Sequence, residues 1–124
     1  MGLVEEQLPR LQESYPESTV QILADGTGVV TLPGIQLTGG WSKQSVTAFF
    51  VVPVGFPMAR PDCFWTEENL RLANGSLPKN SGVQTVPWGG AKLWFSWHPS
   101  SWNPNGDTLR TYAKVIEDRL RRPE

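Results

Sequence analysis

The sequence predicts an α+β fold with a helix at each end and antiparallel strands between them. Two apolar stripes with helical spacing lie near the two termini, and runs with strand-like patterning separate them. Helices and strands are therefore segregated along the chain instead of alternating, which favours α+β over a parallel α/β sheet. The expected order is a helix, a four-stranded antiparallel meander, a Pro-rich turn, a loop of active-site character and a final helix.

The first helix is predicted from an apolar stripe near the start of the chain. Its members are Val4, Leu8, Leu11 and Tyr15. Pro9 lies inside this stripe and removes one backbone hydrogen bond, so the helix is expected either to kink or to begin near Pro9. Pro16 is expected to end it.

The first two strands form a predicted hairpin. Residues 19–24 have strand-like patterning, Asp25-Gly26 is a common hairpin turn, and residues 28–32 form the partner strand. Pro33-Gly34 is expected to close the second strand, because proline has no N–H for a ladder hydrogen bond.

The strongest predicted strand covers residues 45–54, which are apolar on both faces. Such a strand is expected to be covered on both sides of the sheet. Residues 55–61 are rich in Gly and Pro and predict an irregular turn. Residues 63–65 then predict a short fourth strand.

The rest of the central region predicts little regular structure. Residues 70–72 suggest a short edge piece, and residues 93–97 a short extended segment. Residues 74–87 are rich in Gly, Ser, Pro and Asn, which predicts a loop.

The final helix has the clearest pattern in the chain. Its apolar stripe consists of Leu109, Tyr112, Ala113, Ile116 and Leu120. Asn105 or Asp107 is expected to cap its start, and Pro123 to stop it. Four charged residues are expected on its outer side: Lys114, Glu117, Asp118 and Arg119.

Length and composition restrict the possible classes of protein. The 124 residues predict one domain, residues 1–124, and a net charge of −1 argues against nucleic acid as the main partner. No apolar run is long enough to cross a membrane. The single cysteine, Cys63, excludes an internal disulfide and fits a cytoplasmic protein.

The expectation for cofactors and metals is none. The sequence has no glycine-rich phosphate loop. One His and one Cys cannot supply the three or four N/S ligands of an ordinary zinc site.

Cys63 and His98 are the candidate catalytic residues. A thiolate nucleophile needs a lowered pKa, which a nearby imidazolium can provide. Their separation in sequence leaves open whether they meet. Cys63 could instead be an inert, buried side chain, and His98 could be a structural residue that bonds a carbonyl before the helix.

The six tryptophans suggest a second class, a peptide- or carbohydrate-binding module. Trp41, Trp65 and Trp94 adjoin strand-like segments and are expected in the core. The loop residues are the better candidates for an exposed patch: Trp88, Trp97 and Trp102.

Five short segments follow one another along the chain: Pro53-Val54-Gly55-Phe56-Pro57, Pro61-Asp62-Cys63-Phe64-Trp65, Ser96-Trp97-His98, Trp102-Asn103-Pro104 and Asp107-Thr108-Leu109. Their order resembles the ubiquitin-conjugating enzyme (UBC-like) superfamily, and most closely its divergent bacterial group, prokaryotic family E. The resemblance covers most of the chain. Phe56-Pro57 and Trp102-x-Pro104 match the Tyr-Pro turn and the Trp-x-Pro of the superfamily.

The chain departs from the superfamily at its catalytic position. The usual thioester-forming cysteine would fall at Trp94, and no cysteine lies in that segment. His98-Pro99 is followed by Ser100, so the Asn of the usual His-Pro-Asn motif is missing. Conjugation at the usual site is therefore excluded.

The resemblance implies a noncanonical or accessory component of a bacterial ubiquitin-like modification system. Its expected partners are a ubiquitin-like protein and the activating enzyme of that protein. His98 and Cys63 are the expected catalytic residues. The residues expected to bind partners are Ser96, Trp97, Trp102 and Asp107.

Overall fold

The computed structural model describes residues 3–124 and contains two helices and one sheet. The helices are α1 (Leu3–Gln12) and α2 (Leu109–Leu120). The strands are β1 (Thr19–Ile22), β2 (Gly28–Gln36), β3 (Ser45–Val52), β4 (Phe64–Glu67), β5 (Ser81–Val86) and β6 (Gly90–Phe95). The α+β class is confirmed. Neither helix within these residues has the length and apolar content needed to cross a membrane.

The sheet has six strands in the order β1-β2-β3-β4-β6-β5, and every pair is antiparallel. The prediction of four strands is wrong because residues 81–86, expected in a loop, form β5. Gly, Ser and Gln weaken the local strand signal of this segment. Its pairing with β6 along six residues compensates, because cross-strand packing stabilises a sheet more than local propensity does.

Strand β2 also extends further than expected. Pro33-Gly34 does not close it, since the register shifts between Leu32 and Ile35 and pairing with β3 then resumes. Gly34 has φ +72°, a conformation that glycine adopts without strain. The two residues therefore sit in an irregularity inside the strand. Residues 70–72 form no strand, although Leu72 makes an isolated bridge with Trp41.

Both helices pack on one face of the sheet and enclose the core with it. Alternate residues of β3 (Val46, Ala48, Phe50 and Val52) are buried on this face. Phe50 lies against Tyr112 of α2 with 5.0 Å between ring centroids, and Phe64 stacks on Phe95 at 4.6 Å. Burial of one such side chain contributes roughly 1.5–3 kcal/mol.

On the opposite face of the sheet, here called the outer face, no helix of residues 3–124 packs. Thr47, Phe49 and Val51 of β3 are half-buried there. The sequence predicts that β3 is covered on both faces of the sheet. In the structure β3 is covered completely on the helical face and partly on the outer face.

Helix α2 has the predicted apolar stripe but differs at two positions. Its N-cap is Thr108, not Asn105 or Asp107, and the Thr108 N–H donates to the Thr111 hydroxyl at 2.9 Å. Arg119, expected on the outside, is buried with 1% of its surface exposed. Helix α1 contains Pro9 and begins at Leu3, so it does not begin near the proline.

Candidate functional site

The strand register brings the two candidate catalytic segments to the same end of the sheet. Phe64 pairs with Phe95, so Cys63, just before β4, and Ser96, just after β6, emerge side by side. We call this the site end of the sheet.

His98 lies against the segment that carries Cys63. Its Nδ1 is 3.7 Å from Oδ1 of Asp62, the residue next to Cys63. Both side chains are largely exposed, at 56% for His98 and 68% for Asp62, while Cys63 is half-buried. The structure thus places the single thiol and the single imidazole of the chain in one neighbourhood, with Asp62 making the contact.

Tyr112 of α2 supports the segment that carries His98. Its hydroxyl donates to the Trp97 carbonyl at 2.8 Å, and its side chain is buried. Burial raises the pKa of Tyr112 well above its usual value, and electrostatic interactions with Cys63 and Asp62 raise it further. The phenol therefore fixes the backbone next to His98.

Trp97 is held between two arginines. The guanidinium carbons of Arg119 and Arg122 lie 5.3 and 5.0 Å from the Trp97 ring centroid. Such cation–π contacts contribute about 0.5–2 kcal/mol each, more when buried. With Tyr112 on its carbonyl, Trp97 is fixed through both backbone and side chain. Pro99 is buried, so His98 is an exposed residue between two anchored neighbours.

Arg119 is a structural component of the site that the sequence pattern misassigns. It donates to the carbonyls of Arg122, Lys79 and Glu124, at 2.8, 3.1 and 2.9 Å. Burial lowers its pKa, since removal from water disfavours the charged form. The sequence does contain a signal for its burial. Position 119 follows Ile116 by three residues and therefore lies on the apolar stripe of α2.

The Pro-rich turn between β3 and β4 is tied to the loop before α2. Trp102 donates from Nε1 to the Pro57 carbonyl at 2.7 Å, and its ring lies 6.0 Å from that of buried Phe56. The Phe56-Pro57 peptide is cis. Trp102 thus connects the two irregular segments at the site end.

The residues expected to bind partners all lie in or beside these loops, yet most have internal contacts. Trp97 and Trp102 are half-buried against the core. Asp107 accepts from the Asn103 N–H at 2.6 Å and shapes the loop before α2. Ser96 is exposed, and its N–H donates to the Asn80 carbonyl at 2.8 Å. Partner binding by these four residues stays a prediction.

A shallow apolar pocket lies beside Cys63. Its volume is about 220 Å³. The lining comes from β3, β4 and the adjoining turns: Thr27, Val51, Pro53, Arg60, Asp62, Cys63 and Trp65.

The tryptophans are distributed differently from the sequence expectation. Trp41 is buried as expected and donates to the Leu120 carbonyl at 2.8 Å. Trp65 and Trp94, expected in the core, are half-buried and follow the outer-face alternation of β4 and β6. Trp88 packs edge-on against Trp65 at 5.7 Å and against Phe49 at 5.4 Å. An exposed patch of Trp88, Trp97 and Trp102 is therefore not formed, since each is half-buried.

The family model described as Prokaryotic E2 family E matches residues 10–123. The searches of curated proteins and of solved structures gave no match.

Proposed function

The chain belongs to prokaryotic E2 family E, and from this premise we propose that it carries a ubiquitin-like protein as a thioester on Cys63, with His98 as the neighbouring base. It would act in a bacterial modification system together with an activating enzyme. The function is noncanonical, because Trp94 occupies the position of the usual cysteine.

One observation carries the proposal, the 3.7 Å contact between Asp62 and His98. It brings the imidazole to the thiol segment although the two are far apart in sequence. Cys63 is half-buried and lines a pocket, and it is not one of the buried core residues. This supports a reactive Cys63 over the inert one that the sequence left open.

The chemistry is an exchange of thioesters. His98 accepts the thiol proton of Cys63, and the thiolate attacks the carbonyl of the ubiquitin-like protein bound to its activating enzyme. A new C–S bond forms at Cys63 and the C–S bond to the activating enzyme breaks. The departing thiolate takes up a proton. A lysine amine of the target then attacks the Cys63 thioester, which yields an amide and regenerates the thiol.

The test uses ATP with the activating enzyme and the ubiquitin-like protein that we expect the neighbouring genes to encode. Wild-type protein is expected to form an adduct that thiols cleave. Cys63→Ser is expected to lose it or to form a thiol-resistant ester. His98→Gln is expected to slow adduct formation by about a hundredfold, the usual contribution of a general base. Ser100→Ala, an exposed neighbour, serves as the matched control.

An adduct that persists unchanged in Cys63→Ala would contradict the assignment of the thiol. If wild-type protein forms no adduct and binds neither partner, the modification pathway itself is the wrong assignment. The aromatic cluster of Phe49, Trp65 and Trp88 on the outer face would then favour the alternative, a peptide- or carbohydrate-binding module.

A further inference from the structure

Strand β5 is an edge strand without the usual protection against pairing. It pairs with β6 on one side and is the last strand of the sheet. Its sequence, Ser81–Val86, contains no charged residue and no proline, and its register with β6 is continuous. Natural edge strands are commonly protected by charges, prolines or bulges. Val83, Gln84 and Thr85 are all exposed.

The opposite edge differs. Strand β1 has four residues, and helix α1 packs against it. The exposed β-branched residues of the two edges are nevertheless similar, since Ile22 of β1 is 46% exposed and Val83 of β5 is 49% exposed. The two edges therefore offer matched positions for mutation.

The hydrogen-bond pattern identifies the groups that β5 presents outward. Ser96 donates to the Asn80 carbonyl, which makes these two residues a hydrogen-bonded pair. Because such pairs alternate along an antiparallel ladder, the N–H and C=O groups of Val83 and Thr85 point away from β6. They are available to another extended chain.

We infer that the edge of β5 receives the extended C-terminal tail of the ubiquitin-like protein as an added antiparallel strand. This inference rests on the proposed function. Extended segments bind sheet edges through main-chain hydrogen bonds, with side chains adding specificity. The uncharged strand fits an uncharged tail that alternates small or apolar residues with polar ones.

Direction supports this occupant. Strand β5 runs from Ser81, at the site end, to Val86. An antiparallel tail therefore runs towards the site end, and its C-terminus leaves the edge on the side where Cys63 and His98 lie. A parallel tail would deliver its C-terminus to the opposite end, away from the thiol.

Distance sets the length of the tail. The added strand would lie three strand spacings from β4, about 14 Å at roughly 4.8 Å per spacing. An extended chain covers about 3.3 Å per residue, so about four or five residues must follow the paired part to reach Cys63. The expected partner thus has a paired stretch that ends this far before its terminal carboxyl group.

The first test removes one outward N–H without disturbing the pairing with β6. Thr85→Pro deletes a donor that faces solvent, a position where edge strands tolerate proline. Thr85→Val changes the side chain and keeps the donor. In the adduct assay described above, Thr85→Pro is expected to slow adduct formation about tenfold, because the tail loses roughly one hydrogen bond. Thr85→Val is expected to match the wild type.

A second pair of variants guards against a folding defect of the proline variant. Val83→Lys places a charge on the β5 edge, and Ile22→Lys places the same charge on the β1 edge. Slower formation of the thioester adduct is expected for Val83→Lys and not for Ile22→Lys. We expect a synthetic peptide of the last twelve residues of the ubiquitin-like protein to shift the backbone amide signals of Val83 and Thr85 in NMR spectra.

The outcomes separate this inference from the proposed function. If Thr85→Pro and Val83→Lys form the thioester on Cys63 at the wild-type rate, the tail does not use β5, while the thioester function stands. If wild-type protein forms no thioester adduct, the proposed function is wrong, and this inference is wrong with it. A concentration-dependent dimer that Thr85→Pro abolishes would assign the edge to a second copy of the chain and overturn the tail as its occupant.

Discussion

Two buried residues of α2 support the candidate site from beneath it. Tyr112 and Arg119 lie on α2 and have 0% and 1% of their surface exposed. Tyr112 fixes the backbone of Trp97, and Arg119 contacts the Trp97 ring. His98 is held through its neighbour by these contacts, in addition to its own contact with Asp62.

Arg119 offers a prediction at this scale. Arg119→Met removes a buried cation together with its hydrogen bonds to the carbonyls of Arg122, Lys79 and Glu124. The loss of three charge-assisted hydrogen bonds outweighs the gain from removing one buried charge, so we expect a loss of about 2 kcal/mol in the free energy of unfolding. Urea denaturation followed by tryptophan fluorescence measures this loss.

The matched control is Arg121→Met. Arg121 is 57% exposed and pairs with Glu117 and Asp118 on the surface of α2. Exposed pairs contribute little, so a change within about 0.5 kcal/mol is expected. Equal effects at positions 119 and 121 would show that the carbonyl contacts of Arg119 do not stabilise the fold.

At the scale of elements, the start of α2 depends on α1. The Leu109 N–H, one of the groups without an intrahelical partner, donates to Oε1 of Gln7 at 2.8 Å. A side chain 102 positions earlier therefore acts as a cap for the second helix. This contact orients the two helices relative to each other on the core face.

Gln7 can be tested with two substitutions. Gln7→Leu removes the acceptor and is expected to lower the free energy of unfolding by about 1 kcal/mol. Gln7→Glu keeps an oxygen acceptor and adds a negative charge near the helix N-terminus, where such a charge is stabilising. We therefore expect Gln7→Glu to be at least as stable as the wild type at pH 7 in thermal or urea unfolding. A loss with Gln7→Glu as large as with Gln7→Leu would argue against the cap.

At the scale of the whole molecule, the segment after α2 closes against distant loops. The Lys79 N–H donates to the Glu124 carbonyl at 2.9 Å, and Pro123 lies beside Gly40. Since Arg119 and Arg122 in the same region hold Trp97, this closure connects the loop that carries Gly40 to the site itself.

Alanine substitutions at the adjacent residues Gly39 and Gly40 test this closure. Gly40 has φ +104°, and a Cβ there would lie 2.6 Å from Cγ of Pro123. Gly40→Ala is therefore expected to lower the free energy of unfolding by about 2 kcal/mol or more, through backbone strain and displacement of Pro123. A Cβ at Gly39 would meet nothing within 4 Å, so Gly39→Ala is expected to be close to neutral. A comparable loss in both variants would mean that the close approach of Pro123 is not the cause.

Much of the fold follows from local patterns. The stripe of α2 spans Leu109 to Leu120 in the sequence and in the structure, and β1, β3 and β4 lie close to their expected positions. Strand β5 could not be predicted, because Ser81, Gly82 and Gln84 carry little strand preference and depend on pairing with β6. Arg119 was misplaced because charge suggests exposure, whereas three carbonyls and two aromatic rings hold it inside.

The sequence alone determined the α+β class, the two amphipathic helices, the family resemblance and the presence of a single cysteine, Cys63. These properties depend on residue type and short-range spacing, which the chain displays directly. The tertiary structure decided that His98 meets Asp62 beside Cys63, that Tyr112 holds the backbone of Trp97, and that β5 is an open edge. Each of these depends on the register between strands distant in sequence, which is set by packing across the whole core.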